Sequence, residues 1–215
     1  MRRRNVKNAK QRVEKHFDLV VLNPKDYKGK WHTIFNNNNP IHLEIGMGKG
    51  KFLRQHAIEH PEINYIGIEK FDSVIVQAVD KIAPLNLPNI RLINVDALEL
   101  LDIFSENELS KIYLNFSDPW PKNRHAKRRL TYKDYLEKYH VILNGTIEFK
   151  TDNRELFEYS LISFNQNKWS FEKVSLDLHY FDETSGEEKP HIITTEYEEK
   201  FMNKGNVIYF IEIKK

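Results

Sequence analysis

The chain of 215 residues contains no cysteine. That excludes disulfides, thiolate metal centres and any mechanism built on a cysteine nucleophile. Nine histidines are present, but none has zinc-ligand spacing. His56 and His60 are four apart, yet Pro61 follows and no third ligand is close in sequence, so no metal site is expected. No run approaches the roughly 18 apolar residues that a membrane helix needs. The basic N-terminus is not followed by an apolar stretch, so no secretory signal is expected and the chain reads as cytoplasmic, with no membrane partner. An excess of one charge is also missing, since 33 Lys and Arg against 31 Asp and Glu leave only +2.

The charge that is there is unevenly spread. Residues 1–12 hold six Lys or Arg and no acid, and residues 122–129 hold five more with His125 among them. These stretches carry +11 against a total of +2, so the rest of the chain carries −9. An acidic body with two basic patches suits a polyanion held at defined places. A hydrophobic content of 40%, with 12% aromatic, supplies the core of one large α/β domain.

Residues 1–40 read as a basic extension and linker. Positions 1–16 form an arm or short helix, and Asn36-Asn37-Asn38-Asn39-Pro40 is a polar breaker. From 41 to 215 a regular alternation follows. Strands are predicted at 41–45, 64–68, 90–95, 111–116 and 146–150. Helices fall between and after them, at 51–60, 73–82, 97–104, 131–142 and 155–165. Two long alternating runs, 170–178 and 206–213, read as an antiparallel pair at a sheet edge. The expected fold class is α/β: a Rossmann-like, doubly wound, mostly parallel seven-stranded sheet with an antiparallel edge pair. Such sheets bind ligands outside the carboxyl ends of their strands.

The residues at those ends are acidic. Glu44 closes the first strand, Glu69 follows the second, Asp96 the third and Asp118 the fourth. Separations of 25, 27 and 22 residues each correspond to one strand–helix unit, so the four carboxylates should meet on one rim. Each alone could be a helix N-cap; four at regular intervals point to a ligand. The first strand runs into Gly46-Met47-Gly48-Lys49-Gly50. A dinucleotide fingerprint beginning at Gly46 needs its third glycine at 51, which is Lys51, and a pyrophosphate beside Glu44 would be repelled. A cationic ligand without phosphate fits better. S-adenosylmethionine offers ammonium and sulfonium centres to carboxylates and a ribose diol to Glu69, which lies 23 residues after Gly46. Asp96 is placed to reach its adenine amino group. A class I methyltransferase core follows.

The most distinctive segment joins an acid on a rigid turn to the second basic patch. It runs Phe116-Ser117-Asp118-Pro119-Trp120-Pro121-Lys122 and continues through Arg129-Leu130-Thr131. Together with Glu44-Ile45-Gly46-x-Gly48-Lys49-Gly50, Lys150-Thr151-Asp152 and Thr195-Glu196-Tyr197-Glu198, it resembles the bacterial tRNA (guanine-N7-)-methyltransferases. The likeness extends from about residue 41 to the C-terminus. It departs at Ser117, where many members have proline. The resemblance implies S-adenosylmethionine as cofactor and tRNA as partner. Glu44, Gly46, Gly48, Gly50, Glu69, Asp96 and Asp118 would form the methyl-donor site. Lys122, Asp152, Thr195, Glu196, Tyr197 and Glu198 would contact the target guanosine. Arg124, His125, Lys127, Arg128 and Arg129 would hold RNA. The implied product is N7-methylguanosine in the variable loop, and the assembly is a monomer or a homodimer.

The chemistry agrees with the residues. Guanine N7 has a lone pair and no proton, so its methylation requires alignment and a carboxylate near the developing positive charge. It requires no general base and no covalent enzyme intermediate. Asp118, Asp152 and Glu198 are all candidates to read the N1–H and N2–H₂ donors of guanine, and Asp118 is the expected central catalytic residue. Asp152 could instead cap the helix that follows it. Trp120 could stack on a base or anchor the turn. A nicotinamide-dependent oxidoreductase, a non-catalytic RNA-binding module and an adenine N6 methyltransferase are the competing readings. The offset glycine, the complete set of strand-end acids and the Asp-Pro-Trp-Pro sequence oppose them in turn.

Overall fold

A computed structural model of the chain describes residues 6, 8–181, 184, 188 and 190–215. Its centre is a seven-stranded sheet in the order β3-β2-β1-β4-β5-β7-β6. The strands are β1 (Ile41–Ile45), β2 (Asn64–Ile68), β3 (Ile90–Ile93), β4 (Leu109–Asn115), β5 (Leu143–Thr151), β6 (Ser170–Ser175) and β7 (Tyr209–Lys214). The first five are parallel, and β7 runs antiparallel between β5 and β6. The strand order reverses between β1 and β4, which opens a crevice at their carboxyl ends.

Strand composition follows from position. β2, covered on both faces, is buried at every residue, as parallel strands between helical layers require. The edge strand β6 is exposed along most of its length. On one face, Leu43, Ile45, Ile66, Ile68, Ile112 and Leu114 pack with Trp31, Leu136, Tyr139 and Phe164. On the other, Tyr65 and Tyr113 pack with Phe52, Leu53, Ile75 and Val79. The helices are α1 (Ala9–Glu14), α2 (Trp31–Phe35), α3 (Lys51–Glu59), α4 (Asp72–Ile82), α5 (Leu100–Ile103), α6 (Lys133–Ile142), α7 (Arg154–Gln166) and α8 (Glu196–Met202). No helix among the described residues is long and apolar enough to cross a membrane.

The sequence pattern placed the seven strands and α3, α4, α6 and α7 to within a few residues, and it did not give α2 or α8. The expected helix at 97–104 divides into a 3₁₀ turn, Ala97–Glu99, and the short α5. The edge pair is shorter than its alternation suggests, because Asp177 starts a turn by accepting from the His179 N–H at 3.3 Å. The N-terminal extension is more integrated than its composition implies. Ala9 and Val13 of α1 are buried with the α4 residues, and Arg12 clamps Asp80 of α4 through both carboxylate oxygens, at 2.6 and 2.8 Å. Trp31 is fully buried and donates its indole N–H to the Ile103 carbonyl at 3.1 Å. The asparagine-rich breaker forms a fixed corner, in which Asn37 and buried Asn64 exchange side-chain hydrogen bonds at 2.7 and 3.3 Å. The part of the arm at residues 1–5 and 7 lies outside the described residues.

Candidate active site

All four strand-end acids lie at the carboxyl edge of the sheet, on β1 or just beyond β2, β3 and β4. Glu44 is buried within β1 and accepts from Asn115 Nδ2 at 2.9 Å through Oε1, while its Oε2 has no partner. Burial pushes its carboxyl up to about 7; the Asn115 bond and the Lys150 charge act in the opposite direction. Glu69 is buried and accepts from the Phe71 N–H at 3.1 Å. Desolvation raises its carboxyl, against the backbone donors of Phe71, Gly48 and Lys70. Asp96 accepts from the Leu98 N–H at 3.0 Å and so does cap the 3₁₀ turn, and its other oxygen lies 3.6 Å from Lys70 Nζ.

The loop between β1 and α3 closes on itself. Gly46 and Met47 both donate to the Ile68 carbonyl, at 2.8 and 3.0 Å. Gly46, Gly48 and Gly50 have φ of +79°, +58° and +71°. At Gly46 and Gly48 a Cβ would meet nothing within 4 Å, whereas at Gly50 it would lie 2.8 Å from Ile82 Cδ1. The first two glycines therefore face open space where a ligand can approach the backbone, and the third lets α3 pack on α4.

Asp118 is held differently. It is exposed and has no hydrogen-bond or ion-pair partner among the described residues. Its backbone alone fixes it. Phe116 and Trp120, either side of it, have φ of +50° and +42°, a left-handed conformation that disfavours an L residue by about 1–2 kcal/mol. Such strain persists only where the surroundings over-determine it. Here Phe116 donates to the Lys150 carbonyl at 2.9 Å, and its ring packs 4.9 Å from that of Tyr197. Ser117 Oγ and Asn115 Oδ1 are buried without partners. With Glu44 Oε2 they leave three unsatisfied polar atoms at this edge, an arrangement native interiors avoid unless something else completes it.

The basic run forms a 3₁₀ helix, Asn123–Arg128. Lys122, Arg124, Lys127 and Arg128 are exposed, and His125 is half-buried. Arg128 lies 4.8 Å over the Trp120 ring, with His125 edge-on to the same ring, so Trp120 ties this run to the turn. Arg129 does not join the exposed residues. It is 8% exposed and turned inward.

Of the guanosine-contact residues expected from the resemblance, Thr195 to Glu198 open α8 and Asp152 reaches it through Tyr197, whereas Lys122 is exposed at the head of the basic run. Thr195 Oγ1 accepts from the Glu198 N–H at 2.9 Å, and Glu198 Oε2 accepts from the Thr195 N–H at 3.1 Å, a complete capping box. Glu198 is fully buried. Its Oε1 faces His179 Nε2 at 2.7 Å and Lys150 Nζ at 3.3 Å. Although desolvation acts to raise it, the bond to His179 and the charge of Lys150 hold its carboxyl below the usual range. Asp152 does not cap α7; that role belongs to Asn153, which accepts from the Leu156 N–H at 2.8 Å. Asp152 Oδ2 accepts from Asn206 Nδ2 at 3.1 Å and from the Tyr197 hydroxyl at 3.4 Å. Glu196 pairs with Lys81 and with Lys49 Nζ at 3.3 Å, and Glu199 pairs with Lys51. α8 is thereby latched to the glycine loop and to α3 and α4.

Two contributors, Asn115 and Lys150, were given no site role by the sequence reading. Asn115 partners Glu44 from the neighbouring strand, two positions beyond Tyr113, which is in register with Glu44. Lys150 shares β5 with a second charge, Glu148, so nothing in the strand's composition signalled its burial against Glu198. The pattern Thr195-x-x-Glu198 is a capping box readable in the sequence, which explains why this acid points inward.

Comparison with known proteins places this arrangement. A family model described as "Putative methyltransferase" matches residues 38–211. A Geobacillus sp. (strain WCH70) protein named tRNA (guanine-N(7)-)-methyltransferase is 51% identical, covering 100% of this chain and 96% of the relative. A Streptococcus sanguinis protein of the same name is 52% identical over 99% of this chain and 98% of the relative. Among solved structures, a 16S rRNA (adenine(1408)-N(1))-methyltransferase from Catenulisporales acidiphilia with cosubstrate SAM superposes with a TM-score of 0.61. It is 15% identical and covers 90% of this chain and 91% of its own. A SAM dependent methyltransferase from Archaeoglobus fulgidus gives 0.54 at 15% identity, covering 89% and 92%. These two show a shared fold.

Proposed function

The chain belongs to the bacterial tRNA (guanine-N(7)-)-methyltransferases, and from that membership we propose that it methylates N7 of a guanine in the tRNA variable loop with S-adenosylmethionine as donor. The observation that carries this reading is the row of Glu44, Glu69, Asp96 and Asp118 along the carboxyl ends of β1 to β4, either side of the reversal of strand order. There Glu44 Oε2 is buried and unpartnered.

The residues fit the cofactor. When bound, S-adenosylmethionine supplies a methyl group activated by a sulfonium centre. Glu44, raised by burial to about 7, regains its charge beside a cation and offers the orphaned oxygen to an ammonium donor. Glu69 presents a carboxylate to a diol. Gly46 and Gly48 let a ligand approach the backbone. A pyrophosphate beside the Glu44 carboxylate would be repelled, which disfavours a dinucleotide.

On the RNA side, Asp118 supplies negative charge where the purine ring becomes positive, an electrostatic contribution that needs no proton transfer. Guanine N7 has no proton to remove, so a base would have no task. Asp118 and Asp152 each keep an oxygen free to accept from N1–H and N2–H₂; adenine, with an acceptor at N1, would be rejected. Both Glu198 oxygens are engaged in this structure, so Glu198 supports the pocket through Lys150, His179 and α8. Lys122, Thr195, Glu196 and Tyr197 are the further residues that the family resemblance assigns to the guanosine. Arg124, His125, Lys127 and Arg128 hold the RNA backbone, contributing affinity more than base choice, while the target base leaves its stack. Such work on tRNA belongs to the cytoplasm.

Labelled methyl transfer to unmodified tRNA, followed by nucleoside analysis, tests the reading. Label in N7-methylguanosine from the variable loop is expected. Label in another nucleoside, or none, would overturn it.

A further inference from the structure

We infer that Arg129, the last residue of the basic run, is a positioning residue for Asp118 and not an RNA contact. This rests on the proposed methyl transfer. Its guanidinium donates from Nε to the Pro119 carbonyl at 3.1 Å and from Nη2 to the Trp120 carbonyl at 3.0 Å. The same group lies 4.2 Å over the ring of Tyr159 on α7. One planar fork thus grips the two consecutive carbonyls that follow Asp118 and fixes them to a helix.

The surroundings make that grip consequential. Asp118 has no side-chain partner among the described residues, so its position depends on the backbone from Phe116 to Trp120. Both ends of that segment adopt a left-handed conformation. The entrance is held by the bond from Phe116 to Lys150; the exit is held by Arg129. Beyond Arg129 the chain is fastened again to α7. Thr131 Oγ1 pairs with Ser160 Oγ at 2.9 Å, and Ser163 Oγ donates to the Thr131 carbonyl at 2.6 Å. Arg129 therefore sits where the RNA-docking run, the strained catalytic turn and α7 meet. A phosphate contact would require it to abandon both carbonyls and the ring.

Arginine and lysine separate the two roles. A lysine keeps the charge a phosphate needs, but it cannot form the fork or lie flat on Tyr159. Arg129→Lys is therefore expected to lower kcat for tRNA methylation by about a hundredfold, with tRNA affinity within about threefold of the parent. The turn, once loosened, should admit faster tryptic cleavage between 122 and 128 without a matching fall in Tm. Tyr159→Leu removes only the stacking face and should move both readouts in the same direction by less. Should Arg129→Met fail to fold, these two variants still decide the matter. If Arg129→Lys retains parental kcat while Arg129→Met weakens tRNA binding as Arg128→Ala does, Arg129 is a phosphate contact and the inference fails. Unchanged cleavage in both Arg129→Lys and Tyr159→Leu also overturns it. The protease readout requires no methyl transfer, so a wild-type enzyme inactive on tRNA would count against the proposed function and leave this inference to be decided by cleavage.

Discussion

The two halves of the proposed site are built by different means. On the donor side, Glu44, Glu69 and Asp96 are carried by consecutive parallel strands, and their places follow from strand register and from backbone N–H groups. On the RNA side, Asp118 stands exposed on a turn between two left-handed aromatic residues, secured by the Lys150 carbonyl of β5, by Tyr197 of α8 and, through Arg129, by Tyr159 of α7. The first arrangement buries Glu44 and Glu69, and its cost is desolvation. The second leaves the carboxylate in water, and its cost is backbone strain. A site that must bind a compact cation tightly and then admit a bulky base has reason to separate these costs.

The comparison can be broken most severely at Asp118. Asp118→Ala should lower the methylation rate at least about a thousandfold, on the scale of losing one preorganised electrostatic group. Because that side chain has no hydrogen-bond or ion-pair partner among the described residues, Tm and tRNA affinity should stay near parental values. Single-turnover methylation, a binding titration and a melting curve check the three parts. A rate near that of the parent would remove Asp118 from the chemistry, and a large drop in Tm would show that the turn depends on it.

The contrast also explains what could be read from the chain. Regular spacing from Glu44 to Asp118 revealed the rim because each interval is one strand–helix unit, and the alternation in 170–178 and 206–213 revealed the edge pair. These are local periodicities, and the sheet turns them directly into position. Arg129 was grouped with its neighbours because five basic residues in eight look alike in sequence, and only the fold brings Tyr159 beneath the last of them. Asn115 and Lys150 were overlooked because their partners lie 71 and 48 residues away. Asp152 was left open between cap and ligand until Asn153 proved to be the cap.

A second test sharpens the donor side. The Glu44 carboxyl rises from 4.5 to about 7 on folding, so between those values the folded state holds a proton that the unfolded state releases. Stability attributable to Glu44 therefore falls as pH rises through that window, and the loss is complete above 7. At about 1.4 kcal/mol per pH unit it amounts to roughly 3 kcal/mol. Glu44→Gln keeps an oxygen for Asn115 and avoids the buried charge. It should match the parent near pH 4.5 and exceed it by up to about 3 kcal/mol near pH 8, with weaker S-adenosylmethionine binding. His42 and His56, lowered by burial to about 4 and about 3, act in the opposite sense. Their contribution is present above 6.5 and is lost as pH falls through their folded values, in parent and variant alike. Urea unfolding at several pH values isolates the Glu44 difference; equal stabilities at pH 8 would show that the carboxylate is not buried as described.

The smallest expected effect lies on the RNA side, where exposed charges act one at a time. Arg124 and Arg128 are both exposed on the 3₁₀ run, and neither has an ion-pair partner among the described residues. Each should contribute as a phosphate contact through counterion release. Replacing either by alanine should reduce the slope of log affinity against log salt by about 0.7–0.9, and the two reductions should add, because exposed charges of this kind are nearly independent. Arg128→Ala should weaken binding slightly more at a fixed salt concentration, since it also removes the cation over the Trp120 ring. A filter-binding series across salt concentrations gives both slopes. Equal slopes for parent and double variant would detach this face from the RNA, while a reduction from Arg124 alone would assign Arg128 to the turn beside Arg129.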